Sequence, residues 1–82
     1  MKYKVFSLYD SVANEYLAPT IEPSEAVVRR SIENALAKTD SLLATHAKDF
    51  SMRVVGEWDS ELGVISSVQP YTVFNVSALV KE

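Results

Sequence analysis

The run Asp49–Val68, D-F-S-M-R-V-V-G-E-W-D-S-E-L-G-V-I-S-S-V, restricts the folding options of this chain more than any other stretch. Met52, Val54, Gly56 and Trp58 alternate with Arg53, Val55 and Glu57, the period-two pattern of a strand with two unlike faces. Asp59-Ser60-Glu61-Leu62-Gly63 gathers turn formers and ends on a glycine able to take positive φ. Val64, Ile65 and Val68 resume the β pattern, so the run predicts a hairpin with a longer loop. A lone hairpin is marginal in water and needs an apolar layer over one face. The segment Ser24–Lys38 is the good candidate for that layer. Val28, Ile32, Ala35 and Leu36 fall on one helical stripe, with Arg30, Glu33 and Asn34 opposite. Pro23 or Ser24 opens the helix, Glu25 complements its dipole, and Glu25 precedes Arg29 by the spacing that favours an ion pair. The pattern predicts an end near Lys38, where Thr39-Asp40 interrupts it, and Asp40 is placed to cap a short turn through Leu42-Leu43-Ala44.

The segment Lys2–Tyr9 reads as a strand apolar on both sides, with Tyr3, Val5, Ser7 and Tyr9 on one and Lys2, Lys4, Phe6 and Leu8 on the other. Two-sided burial predicts a central position in the sheet. Asp10-Ser11 punctuates it, Glu15-Tyr16-Leu17 reads as a short return segment, and Pro19 and Pro23 bracket a connector. Thr45–Asp49 is a polar loop entering the hairpin, and Gln69-Pro70 breaks the strand pattern. A last strand is expected over Tyr71–Val80, with Thr72, Phe74, Val76, Ala78 and Val80 on one face. The expected architecture is a single α+β domain over 1–82: a mostly antiparallel sheet of four main strands with one helix packed on one face. The order is β–(short β)–α–β–β–β. Its β–α–β start would let Lys2–Tyr9 and Ser51–Trp58 run parallel through a right-handed crossover.

Composition excludes several functions. With 82 residues and 48 % apolar content, the chain has enough for one small core. It has no cysteine, hence no disulfide or thiolate site. The start Met-Lys-Tyr-Lys lacks the features of a signal peptide, and no apolar run is long enough to span a membrane. Two glycines cannot make a phosphate-cradling loop, and no serine has a base at recognisable spacing, so no enzyme, catalytic residue or cofactor is expected. His46 and Asp49 lack further ligands nearby and are expected to pin a loop through bonds to backbone groups. Glu57, Asp59 and Glu61 form an acidic turn whose spacing matches no cation loop, so no metal is expected.

The formal net charge of −3 disfavours a broad nucleic-acid surface, yet the placement of cations matters more than their total. Lys2 and Lys4 flank Tyr3, Arg29 and Arg30 are adjacent on the helix, and Arg53 lies near Trp58. Each also has an ordinary structural use: Tyr3 in a half-buried sheet, the arginines on a solvated helix face, Trp58 as a core or interface aromatic beside Gly56. A single helix cannot cover both faces of such a sheet, and an open edge strand invites a second copy, so a homodimer is expected.

Five segments come in order at short spacings: F-S-L-Y-D-S (6–11), A-x-x-Y-L-x-P (13–19), S-E-A-x-x-R (24–29), H-A-K-D-F (46–50) and G-E-W-D-x-x-x-G (56–63). Together they resemble the small nonstructural protein of gokushoviruses, Microviridae phages related to the chlamydial phages. The resemblance covers roughly residues 3–65. The stretch Lys38–Thr45 departs from the family's Asn-Asp-Pro-like loop, and the C-terminal strand has no clear counterpart. The resemblance implies a nonstructural protein of the host bacterial cytoplasm, described as DNA-binding or as acting in single-stranded DNA synthesis. A phage or host replication protein is the alternative partner. The resemblance carries over no binding residues; Lys2, Tyr3, Lys4, Arg29, Arg30, Arg53 and Trp58 are candidates from charge and stacking alone.

Overall fold

The computed structural model describes residues 1–38 and 40–80. Strand β1 (Lys2–Asp10) is followed by two short strands, β2 (Glu15–Tyr16) and β3 (Thr20–Glu22), then helix α1 (Glu25–Leu36) and a one-turn helix α2 (Leu42–Thr45). A 3-10 turn at Ala47–Asp49 leads into β4 (Phe50–Asp59) and β5 (Val64–Asn75), and a second 3-10 turn spans Val76–Leu79. The sheet runs β2-β1-β4-β5, with β3 also paired to β1, and all pairings are antiparallel. The expected α+β architecture is thus the one adopted, with β1 central.

The expected parallel pairing of Lys2–Tyr9 with Ser51–Trp58 is corrected: β4 lies antiparallel to β1, Asp10 opposite Phe50 and Lys2 opposite Asp59. Between them the chain reverses twice. The short return strands β2 and β3 carry it back along β1, and α1 brings it forward again, so β4 starts where β1 ended.

The predicted break at Gln69-Pro70 is also corrected. β5 continues through it, because β5 pairs on one side only and an edge strand tolerates a missing N–H. The ladder adjusts by bulging: Val54 and Gly56 face Tyr71 and Ser67, so extra residues of β5 are accommodated around Pro70. The last strand ends at Asn75 rather than at Val80. A bulge at Val73 sets Thr72 against Arg53 and Phe74 against Met52, so Thr72 and Phe74 occupy opposite faces. Val76 then turns in a 3-10 conformation and is fully buried at 0 % exposure.

Helix α1 forms as its pattern requires. Ser24 is the N-cap, its hydroxyl accepting from the Val27 N–H at 3.4 Å, and Glu25 meets Arg29 at 2.8 Å. The helix ends at Leu36, two residues short of Lys38, with Ala37 as C-cap; the expected interruption at Thr39 lies outside the described residues. The cap of α2 is Ser41, not Asp40. Its hydroxyl accepts from the Ala44 N–H at 3.1 Å and donates to the Ala35 carbonyl at 3.0 Å, tying the two helices together. The helical stripe of Val28, Ile32 and Leu36 closes on Phe6 and Leu8 of β1, Met52 and Val54 of β4, and Phe74 of β5. Leu43, Ala47, Phe50, Val73, Val76 and Leu79 complete this core.

The core draws on β4 only as far as Val54. Beyond it, Lys2–Lys4, Gly56–Asp59 and Val64–Ser67 form a three-stranded wing without a helix over it, part of a molecule 42 Å long. Gly56 permits the wing's close strand approach. A Cβ there would stand 2.9 Å from the Ser66 carbonyl oxygen and 3.5 Å from the Val5 side chain. A backbone oxygen cannot swing aside as a flexible side chain would, so Gly56→Ala should destabilise by about 1–3 kcal/mol. A thermal melt matching the parent would show that β5 gives way freely.

Candidate functional site

Cross-strand partners in an antiparallel sheet project to the same side, so the pairing determines what each face displays. On the helix side, Lys2, Lys4, Phe6, Leu8 and Asp10 meet Asp59, Glu57, Val54, Met52 and Phe50. On the other side, Tyr3, Val5, Ser7 and Tyr9 meet Trp58, Gly56, Arg53 and Ser51. The switch in parity comes from a bulge at Val55: one step on β1, from Val5 to Phe6, spans two on β4, from Gly56 to Val54. The alternation expected to group Trp58 with Met52 and Val54 is therefore corrected. Trp58 shares a face with Arg53, and Glu57 goes to the opposite one.

The same logic extends across the sheet. Ile65, Ser67, Thr72 and Asn75 of β5, Tyr16 of β2 and Ile21 of β3 join the side away from the helix. Among the described residues paired across strands, the carboxylates Asp10, Glu15, Glu22, Glu57 and Asp59 all fall on the helix side. This face, which no helix covers, carries Tyr3, Tyr9, Tyr16 and Trp58 with Arg53, and no paired carboxylate. Val5 and Ser7 at its middle are buried, Tyr3, Tyr9, Arg53 and Trp58 are half-buried, and Tyr16 is exposed. The negative charge of the paired strands in this net anionic protein is thus gathered on the helix side.

Arg53 packs against a pair of tyrosines. Its guanidinium carbon lies 4.2 Å from the Tyr9 ring centroid and 5.7 Å from that of Tyr16. Its Nη1 donates to the Tyr16 hydroxyl at 3.0 Å and its Nε to the Ser51 hydroxyl at 3.3 Å. The two rings are tilted by 55° with centroids 4.8 Å apart. The turn between β1 and β2 sets this geometry. The Asp10 carboxylate accepts from the N–H groups of Val12 and Ala13 at 3.0 and 3.2 Å, and Asn14 takes a left-handed φ of 60°. The Tyr9 hydroxyl donates to the Asn14 side-chain oxygen, and Tyr16 lands directly opposite Tyr9.

The structure brings Tyr3, Trp58 and Arg53 onto this face and places the other four candidates elsewhere. Lys2 and Lys4 point to the helix side, where the Lys2 ammonium pairs with Glu57 at 3.5 Å and Lys4 sits between Glu57 and Glu22 in register. Arg29 pairs with Glu25 and stacks over Phe74 at 5.1 Å, and Arg30 is exposed on the same helix. Tyr9 and Tyr16 were missed as contributors. Strand parity already placed Tyr9 with Tyr3, but the pairing of Tyr16 depends on the Asp10–Asn14 turn.

The loop before β4 is pinned by its main chain rather than by the side chains of His46 and Asp49. The Asp49 carbonyl accepts from the Ser11 N–H at 2.9 Å and from its hydroxyl at 3.0 Å, while the His46 ring meets the Thr45 hydroxyl at 2.8 Å. In the acidic turn, N–H groups of Leu62 and Glu61 donate to Asp59 and hold its carboxyl below the usual range, with Lys2 adding to the effect. Among the described residues, no group of three His, Asp or Glu side chains is placed to hold a metal ion. No described helix is long and apolar enough to cross a membrane.

A family model described as Phage ORF5 protein matches residues 3–79. The chain belongs to the Phage ORF5 protein family. The match runs beyond the roughly 3–65 of the sequence resemblance and takes in all of β5, so the uncovered face as a whole lies inside the family's domain. Among curated proteins and among solved structures, none matches the chain. Membership makes this a phage protein and fits an accessory role.

Proposed function

We propose that this phage protein is a non-enzymatic, nonstructural accessory factor of the gokushovirus type. In this reading it binds single-stranded DNA on its open sheet face during genome replication in the host bacterial cytoplasm. One observation carries the reading: four aromatic side chains and Arg53 share a face from which every strand-paired carboxylate is excluded. Exposed bases stack on such rings without sequence preference, each contributing about 1–3 kcal/mol. Arg53, already fixed on the Tyr9 ring and by its bond to the Tyr16 hydroxyl, offers a phosphate a cation with little left to order. Double-stranded DNA hides its base faces and gains nothing from the platform.

The pairing of Lys2 with Glu57 and of Arg29 with Glu25 also sets the expected salt response. With Arg53 as the principal phosphate contact, log affinity should fall with log salt at a slope of about −0.7 per contact. That is a shallow dependence, in which stacking carries most of the affinity. Fluorescence anisotropy with labelled single- and double-stranded oligonucleotides at two salt concentrations tests this. Arg53→Ala should weaken single-strand binding about tenfold, a loss of about 1.4 kcal/mol, and Tyr16→Ala should weaken it as well. The double variant Arg29→Ala/Arg30→Ala should act less strongly, through long-range charge. A parent chain that binds no oligonucleotide at low salt would end the proposal in favour of a protein-interaction module engaging phage or host replication proteins without DNA contact.

A further inference from the structure

The two edges of the sheet are built differently. On one side β1 is flanked by β2 and β3, which are two and three residues long and carry Glu15 and Glu22. Short charged edge strands are a common way to discourage pairing with another chain. On the other side β5 presents twelve residues, V-I-S-S-V-Q-P-Y-T-V-F-N, without one charge. Among the described residues it is the only strand of which that is true. Within it, Val64–Ser67 keeps regular register with β4 after the turn at Gly63, and Val68 opens the bulge that holds Pro70, so the outer edge of these five residues has no proline to block a ladder. Val64, Ile65 and Val68 are 47, 63 and 37 % exposed.

We propose that a second copy of this chain pairs antiparallel along Val64–Val68, about a two-fold axis through Ser66. Self-pairing across a two-fold axis sets every residue against its own kind or its symmetric counterpart, so a charged strand would repel itself and this one does not. The axis must stand perpendicular to the sheet, since only then do the strands run antiparallel. Residues that project to the same side must then pair, which restricts the centre of symmetry to a residue rather than a gap. Centring on Ser66 uses the whole unobstructed stretch, placing Val64 against Val68 and Ile65 against Ser67. The open faces of both copies then lie on the same side of one continuous sheet. This inference does not depend on DNA binding, and its test contains no DNA.

Light scattering of the full chain at tens of micromolar should give twice the chain mass of 9.1 kDa. Ser66→Lys sets two ammonium groups against each other across the axis and should yield a monomer, with circular dichroism and a dilute-solution melt like those of the parent. The chain lacks cysteine, so Ser66→Cys introduces a single thiol. Under mild oxidation it should cross-link to a covalent dimer much faster than Ser77→Cys, whose thiol sits on the distant 3-10 turn. A monomeric parent, a Ser66→Lys variant that stays dimeric, or equal cross-linking at the two positions would each overturn the proposal.

Discussion

Replacing Phe6 by alanine should cost the folded state about 3–5 kcal/mol. The ring is 1 % exposed, the most completely buried large side chain after Val76, and it lies in the cluster shared by α1, β4 and β5. No neighbour is free to refill the space, because those around it are fixed to a ladder or a helix. A domain of this size has a total stability of roughly 4–12 kcal/mol at about 0.05–0.15 kcal/mol per residue. Chemical denaturation should therefore show a midpoint far below that of the parent. An unchanged midpoint would mean that Phe6 does not occupy the described core.

Ile32→Ala is expected to cost about 2–4 kcal/mol. Ile32 is 7 % exposed and anchors the middle of α1 to the sheet. The helix has few other means of attachment, since its remaining buried position is Val28 and Leu36 is only half-buried. A thermal melt indistinguishable from the parent would contradict the docking of α1 by this stripe. Phe6 and Ile32 empty the same cluster, so the double variant should lose less than the sum of the two.

The elements legible in the sequence were those governed by short-range rules. The spacing of Val28, Ile32 and Leu36 gave the helix and its buried side, Ser24 gave its start, and two-sided apolarity gave β1 its central place. What escaped depends on partners distant in the chain. Pro70 looks like a break in isolation but is tolerated because β5 has a neighbour on one side only. The direction of β4 depends on two short return strands that carry almost no hydrophobic pattern of their own. Most consequential is the bulge at Val55. Gly56 is its one local sign, since a glycine inside a strand often marks a bulge, and one extra residue exchanges the faces of everything beyond. It moves Trp58 to the side of Arg53 and Glu57 to the side of Lys4, so strict alternation misassigned the very residues that make up the candidate site. Charge and stacking single out Arg53, Tyr3 and Trp58 one by one, but their common face follows from the bulge, and Tyr9 meets Tyr16 only through the turn at Asp10–Asn14.

The central place of β1 also fixes the order of events in time. Its main partner, β4, lies roughly fifty positions further along the chain, and the ladder between them spans the full length of β1. Until β4 has been synthesised, Phe6 has no sheet to join and β1 has only the five residues of β2 and β3 beside it. Closure over so long a loop is slow compared with helix formation, so α1 should flicker in and out of order well before the sheet zips. During that interval β1, with Phe6 and Leu8 uncovered, is a ribbon with a bare edge, and the newly made chain is then most vulnerable to aggregation.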